Sequence, residues 1–208
     1  MIKLRGAMGL GLLLFIATMI GGSVRVSRAQ AKEGGVKLAS LAGTFAGRGS
    51  GFLTICFNSG FTAVADCATA PNVVPFNSTL VEQFTRDAAG NSCGVFTESL
   101  APVVGTPFSA AVNLRTDVGT STFDPTTGLG KYSFSLYSGG TCTGAAFDST
   151  GADLAATGTS TFVVSDSGNR IEIIYTSISA VTDAAIGNVA GALQGFVFSQ
   201  TAIRQKTL

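Results

Sequence analysis

The sequence predicts an all-β protein: a single antiparallel β-barrel of about 8–10 strands, with a two-sheet β-sandwich as the alternative. The first observation is texture. From about residue 40 onward, runs of Thr, Ser, Val, Ile, Phe and Ala are broken every ten residues or so by Gly, Asp, Asn or Pro. The second is the chemistry of three of those breaks. Asp87-Ala88-Ala89-Gly90-Asn91, Asp124-Pro125-Thr126-Thr127-Gly128 and Asp166-Ser167-Gly168-Asn169 each set a side chain that can bond its own backbone ahead of a Gly free to take positive φ. Each reads as a hairpin. The third is alternation: in Lys131-Tyr132-Ser133-Phe134-Ser135-Leu136 the large apolar groups point one way and the small polar groups the other.

These signals place strands near 41–47, 51–58, 78–86, 92–100, 108–116, 119–123, 130–138, 158–165, 170–180 and 192–203. In the last strand Gln194, Phe196, Phe198 and Gln200 share one face. Arg170-Ile171-Glu172-Ile173-Ile174-Tyr175 is apolar on both faces, which predicts a covering layer outside it. Residues 59–77, with Pro71 and Pro75, read as one long irregular connection, and 181–191 as a short helix or a loop. Closure into a barrel is favoured because it satisfies the edge strands.

Residues 1–31 read as a secretory signal peptide and 32–208 as the single β domain. Lys3 and Arg5 precede an uncharged apolar run, Met8 to Ile20, and Ala29-Gln30-Ala31 supplies the small-x-small pattern of a cleavage site. An uncleaved anchor is the alternative, because the segment between Arg5 and Arg25 approaches the ~20 residues of a spanning helix. Several glycines weaken such a span. Cleavage predicts a secreted or periplasmic protein with no later membrane-spanning helix.

Removing Lys3, Arg5, Arg25 and Arg28 with the leader leaves nine Lys and Arg against twelve Asp and Glu. No basic stripe remains, so nucleic acid is excluded as a partner. The chain contains no histidine. That removes His-based triads, His general bases and His metal ligands. Neither Ser-x-x-Lys nor Gly-x-Ser-x-Gly occurs, so the abundant hydroxyls have no partner base for nucleophilic catalysis. The glycine-rich turns lack the lysine and the following helix of a phosphate loop. Each Asp-led turn carries one carboxylate, fewer than calcium requires, and Asp148-Ser149-Thr150-Gly151-Ala152-Asp153, with two, still reads as a turn. No metal or other cofactor is expected.

Cys56, Cys67, Cys93 and Cys142 are an even set without C-x-x-C spacing, which in an exported chain predicts disulfides. Of the three possible pairings, Cys56–Cys67 with Cys93–Cys142 is preferred, since the first closes a short loop and leaves the others as partners. On the loop-entropy model these contribute about 3 and about 4 kcal/mol.

Leu41-Ala42-Gly43-Thr44-Phe45 resembles the first strand of avidin- and lipocalin-type (calycin-like) barrels, which often begin Leu-x-Gly-x-aromatic. The resemblance covers five residues, with Phe45 where Trp is usual. It implies a small barrel, and it carries no ligand-contacting residue onto this chain.

Glu82, Glu98 and Glu172 stand within strands, where the pleat directs each either to solvent or into the interior. An interior carboxyl would be desolvated and available as an acid, a base or a grip on a polar ligand. Glu172 draws particular attention because its strand is apolar on both faces and Tyr132 and Tyr175 could lie nearby. Glu82, Tyr132, Glu172 and Tyr175 are therefore the candidate binding residues. The expected role is non-catalytic binding of a small apolar ligand or a partner protein surface. The alternatives are a cavity-based cyclase or isomerase using Glu172 or Glu82, and an eight-stranded outer-membrane barrel, against which the absence of Trp and the scarcity of Tyr count.

Overall fold

The computed structural model describes residues 36–103, 107–183 and 187–206. The expected leader, 1–31, lies outside them. Eight long strands close an antiparallel barrel: β1 (Gly43–Phe57), β2 (Asn72–Arg86), β3 (Asn91–Pro102), β4 (Ala111–Asp124), β5 (Leu129–Ser138), β8 (Asp153–Ser165), β9 (Arg170–Ala180) and β10 (Leu193–Arg204), the last pairing back onto β1. A two-stranded excursion, β6 (Thr141–Thr143) and β7 (Ala146–Asp148), interrupts the meander between β5 and β8. The barrel reading holds and the sandwich does not.

The two ends of the barrel differ. The Asp-led hairpins 87–90, 125–128 and 166–169 all lie at one end, where β1 begins and β10 finishes. Asp87 and Asp124 act as expected: Asp87 Oδ1 accepts from the backbone N–H of Ala89 and Asn91, and Asp124 Oδ1 from that of Thr126. A 3₁₀ turn, Leu38–Leu41, caps this end. Arg204 binds the cap down, donating from Nη1 to the Ala42 carbonyl at 2.6 Å and from Nη2 to that of Ser40 at 2.7 Å. Its guanidinium lies 5.1 Å over the Phe45 ring. Leu41 and Phe45 are fully buried here with Phe84, Phe162 and Ile171. β1, β3, β5 and β9 all finish at the other end, where the longer connections leave the barrel.

Several sequence expectations need correction. Residues 41–47 and 51–58 are not two strands but parts of the continuous β1. Gly47, Gly49 and Gly51 do not turn the chain. They face inward and let β10 side chains lie flat on β1, where a Cβ on Gly49 would sit 2.6 Å from the Phe198 ring and one on Gly47 2.4 Å from Gln200 Nε2. Residues 108–116 and 119–123 likewise merge into β4, which puts Asp117 in mid-strand. β2 begins at Asn72 despite Pro75, so the irregular connection is shorter than expected. In β10, Gly195 takes φ +63° and the register shifts there, turning Gln194 outward and Leu193 inward. Among the described residues no layer covers β9: Ile174 is 63% exposed on the outer wall.

Disulfides join Cys56 to Cys67 and Cys93 to Cys142. The first ties the β1–β2 connection to the rim opposite the cap. The second pins the β6–β7 excursion against the outside of β3, and Phe147 packs on Tyr137 with ring centroids 4.7 Å apart. Two disulfides fit an oxidising location.

Candidate ligand-binding cavity

Alternation sends Leu80, Glu82, Phe84 and Arg86 of β2, Phe96 and Glu98 of β3, Asn113, Arg115 and Asp117 of β4, and Phe134 of β5 into the barrel. The capped half is filled with aromatic rings. Above them a cavity of about 160 Å³ remains, walled by Leu53, Leu80, Phe96, Leu136, Ala156 and Phe196 among others. Its polar groups are concentrated. Glu82, Asp117 and Tyr175 line it together, and Glu98, Asn113 and Arg115 form a second group on the β3–β4 wall.

Glu82 and Asp117 are both buried and hydrogen-bonded to each other. They come from different rows of the sheet: Glu82 pairs with Phe96, whereas Asp117 pairs with Gly94, which pairs in turn with Phe84. Gly94 contributes no side chain to the wall between them, and a Cβ there would lie 2.5 Å from that of Phe84. The missing side chain lets the two carboxyls meet.

Two donors reach this pair directly, and two more stand behind them. Gln200 Nε2 donates to Glu82 Oε2, and the Tyr175 hydroxyl donates to Gln200 Oε1 at 2.6 Å. The Tyr132 hydroxyl donates to Asp117 Oδ1 at 2.9 Å and receives a bond from Ser92 Oγ at 3.1 Å. Arg86 lies beneath. Its guanidinium stacks 5.0 Å over Phe162 and 5.7 Å from Phe84, and Nε and Nη1 meet no acceptor among the described residues. With Glu82, Asp117, Tyr132 and Ser92 it lines a further void of about 10 Å³.

Burial pushes both carboxyl pKa values up, because the charged form loses its hydration. Asp117 also faces the Glu82 charge and is raised further, and two carboxyls bonded to each other hold a proton between them; Arg86 acts in the opposite direction on both. Burial and the nearby carboxyls hold Tyr132 and Tyr175 as neutral hydroxyls. Burial lowers the Arg86 pKa, but a guanidinium stays charged in a protein. Glu98 is likewise raised by burial, against the opposing effects of a bond from Ser78 Oγ at 2.7 Å, of Arg115 and of Asn113.

Of the four candidates named from sequence, Glu82 and Tyr175 line the cavity and Tyr132 lies just under its floor. Glu172 is apart from them. It sits on the outer wall, paired with Arg170 and accepting from Thr201 Oγ1 at 2.6 Å. Sequence reasoning did not single out Asp117, Arg86 or Gln200. Arg86 and Gln200 carried a usable signal, a polar residue in phase with Phe84 and with Phe198. Asp117 did not, because the strand was broken around it.

Among the described residues no group of His, Cys, Asp and Glu is arranged to hold a metal ion. Comparison with protein-family models, with curated proteins and with solved structures returns no match, so the geometry of the cavity is the ground for reading this chain.

Proposed function

We propose that this barrel binds a small, largely apolar molecule in its uncapped half, with the molecule's polar head against Glu82, Asp117 and Tyr175. The observation that carries the reading is a walled apolar cavity ending on a compact group of buried ionisable side chains. Its size sets the class of ligand. About 160 Å³ is close to the ~150 Å³ engineered cavity that takes up benzene, so the body is one ring or a short branched chain. Displacement of a hydrophobic dye by single-ring compounds tests it, with Ala156→Phe as the filled-cavity control. The wild type binds and the variant does not. Absence of binding by the wild type, or equal binding by both, overturns the proposal.

Export and the small-barrel resemblance belong to the same reading. The leader pattern and the two disulfides support secretion or a periplasmic site. Leu41 and Phe45, the residues that carry the calycin-like resemblance, plug the capped end of a closed up-and-down barrel, which is the part such a motif would serve. The outer wall supports a barrel that faces water. Thr79, Thr97, Thr120, Ser133, Thr157 and Thr159 interrupt the exposed Val81, Leu114, Ile174 and Val197, so the wall is a mixture and not the continuous apolar band of a lipid-facing barrel.

One observation favours a second reading, a cyclase or isomerase. Two carboxyls sharing one proton beside a tyrosine, facing an apolar cavity, are the parts needed to protonate one carbon of a substrate and deprotonate another. Deuterium appearing in a bound compound during incubation in heavy water, and its loss in Glu82→Gln, would establish this activity.

A further inference from the structure

A count of charges and donors in the cavity narrows the ligand beyond size and polarity. Three carboxyls line it: Glu82, Glu98 and Asp117. Two guanidiniums stand against them. Arg115 is beside Glu98 on the β3–β4 wall, and Arg86 lies beneath Glu82 and Asp117. Among the described residues no other Lys or Arg lines the cavity or its floor. The floor is therefore one positive charge short of two carboxylates, and a shared proton makes up the difference.

The donors give the same answer by an independent route. Tyr132 and Tyr175 have spent their single polar hydrogens within the network, on Asp117 and on Gln200, and Gln200, which donates to Glu82, does not line the cavity. What the floor still offers the cavity is oxygen lone pairs on the two carboxyls and on the Tyr175 hydroxyl. Toward the cavity such a floor accepts hydrogen bonds; the unmatched N–H groups of Arg86 lie beneath it, where Arg86 lines the smaller void and not the cavity. A ligand carboxylate or carbonyl would meet oxygen with oxygen; a head rich in N–H would meet acceptors.

We infer that the ligand class is small primary amines with an apolar, single-ring-sized body, bound as the ammonium ion at the Glu82–Asp117 floor. This rests on the cavity reading above and names its substrate class. The balance is an exchange: the ammonium enters, the proton shared by Glu82 and Asp117 leaves to solvent, and the floor keeps the same total charge. Both carboxylates then have a cation, Arg86 from below and the ammonium from above, and three ammonium hydrogens match the free lone pairs of Glu82, Asp117 and Tyr175. Around the exchanged proton stand Arg86 of β2, Tyr132 of β5 and Gln200 of β10, and Glu98 of β3, Arg115 of β4 and Tyr175 of β9 line the cavity above it. Only the two carboxyls change protonation when the ammonium binds.

The test uses the wild-type protein and three probes of nearly equal size: benzylamine, benzyl alcohol and benzoate. At about pH 8 benzylamine should bind about tenfold or more tightly than benzyl alcohol, and benzoate most weakly. Calorimetry in two buffers of different ionisation enthalpy should show proton release with benzylamine and none with benzyl alcohol. At about pH 5 the preference should shrink, because protons then compete with the amine. Asp117→Asn, which keeps the side-chain shape, should bring the amine-to-alcohol ratio close to one. If benzyl alcohol or benzoate binds as well as the amine, or if amine binding releases no proton, the inference is overturned while the cavity reading stands. If none of the three binds, the cavity reading itself fails.

Discussion

The two halves of this barrel obey one pleat and use it to opposite ends. In the capped half, inward positions carry large rings set against glycine. Phe162 lies over Gly130, whose Cβ would fall 2.0 Å from the ring, and Phe84 lies against Gly94. In the other half the rings gather at the wall and rim, Phe96 and Phe196 lining the cavity and Phe57, Phe76 and Phe108 packing together beyond it. The remaining inward positions are Leu, Ala and single polar groups, and alanines at 155, 156 and 180 leave the space between them unfilled. The fold is the same on both sides of the Glu82–Asp117 level. What differs is whether a small residue is matched by a large one across the lumen. A cavity in a barrel is thus an unmatched set of small residues, and the capped half supplies the stability that lets the other half stay unfilled.

That division is sharpened most by Phe45→Ala. Phe45 is fully buried, stacks on Phe84 at 5.2 Å and carries the Arg204 guanidinium on its other side. Its loss should cost about 3–5 kcal/mol in urea unfolding, the range for emptying a buried phenylalanine site. Phe45 lines no part of the cavity, so single-ring probes should still bind the folded fraction with unchanged affinity. If the capped half does not carry the stability, the loss will be a small fraction of this. If the halves are not independent, probe affinity will fall with it.

Acid titration separates two carboxyl populations. Asp87 and Asp124 in the capped-end hairpins, with Asp66 and Asp148 at the other end, are held below the usual carboxylate range by hydrogen bonds from their own turns. A lowered folded pKa gives stability that is present above the unfolded value, near 4, and is lost as pH falls through the folded value. Glu82, Glu98 and Asp117 are raised by burial. Their contribution is complete below the unfolded value and is lost as pH rises through the folded value. The two trends leave a maximum on the mildly acid side of neutrality. Melting temperature should climb as pH is lowered from about 8 to about 5 and drop again below about 4. In Glu82→Gln the climb should flatten, since Asp117 then ionises as the sole partner of Arg86. A wild-type melting temperature that falls steadily from pH 8 downward would show that the floor holds no shared proton.

The same contrast explains what the sequence disclosed and what it withheld. The three hairpins at the capped end were legible because each is written in consecutive residues: a Gly that takes positive φ in all three, and in the first two an Asp that bonds its own turn. The disulfide pairing followed from loop length. The floor was not legible, because Glu82 and Asp117 are thirty-five positions apart, and their meeting depends on the registers of β2 with β3 and β3 with β4, on Gly94 leaving a gap, and on β4 running unbroken through Asp117-Val118-Gly119. Read from sequence, one strand ends at 116 and the next begins at 119, which leaves Asp117 between them. Glu172 drew attention for the opposite reason: Ile174 beside it suggested a covered strand, whereas the wall there is bare and Glu172 simply pairs with Arg170. Local chemistry was readable in one pass; contacts made across three strands were not.

The smallest effect belongs to the turns and divides the capped end within itself. Gly128 takes φ +72° with nothing within 4 Å of a built Cβ, and Gly90 takes φ +94° with the Ser121 carbonyl oxygen 2.5 Å away. Gly128→Ala meets only the cost of holding an alanine in the left-handed region, about 1 kcal/mol. Gly90→Ala meets that cost and a backbone collision as well, and the carbonyl it would displace cannot swing aside, because Ser121 N–H is already bonded to the Gly90 carbonyl at 2.8 Å. Unfolding of the two variants side by side should therefore show Gly90→Ala losing clearly more. Equal losses would mean that the 87–90 hairpin moves freely against β4, and that the capped end is held by its aromatic filling alone rather than by its turns as well.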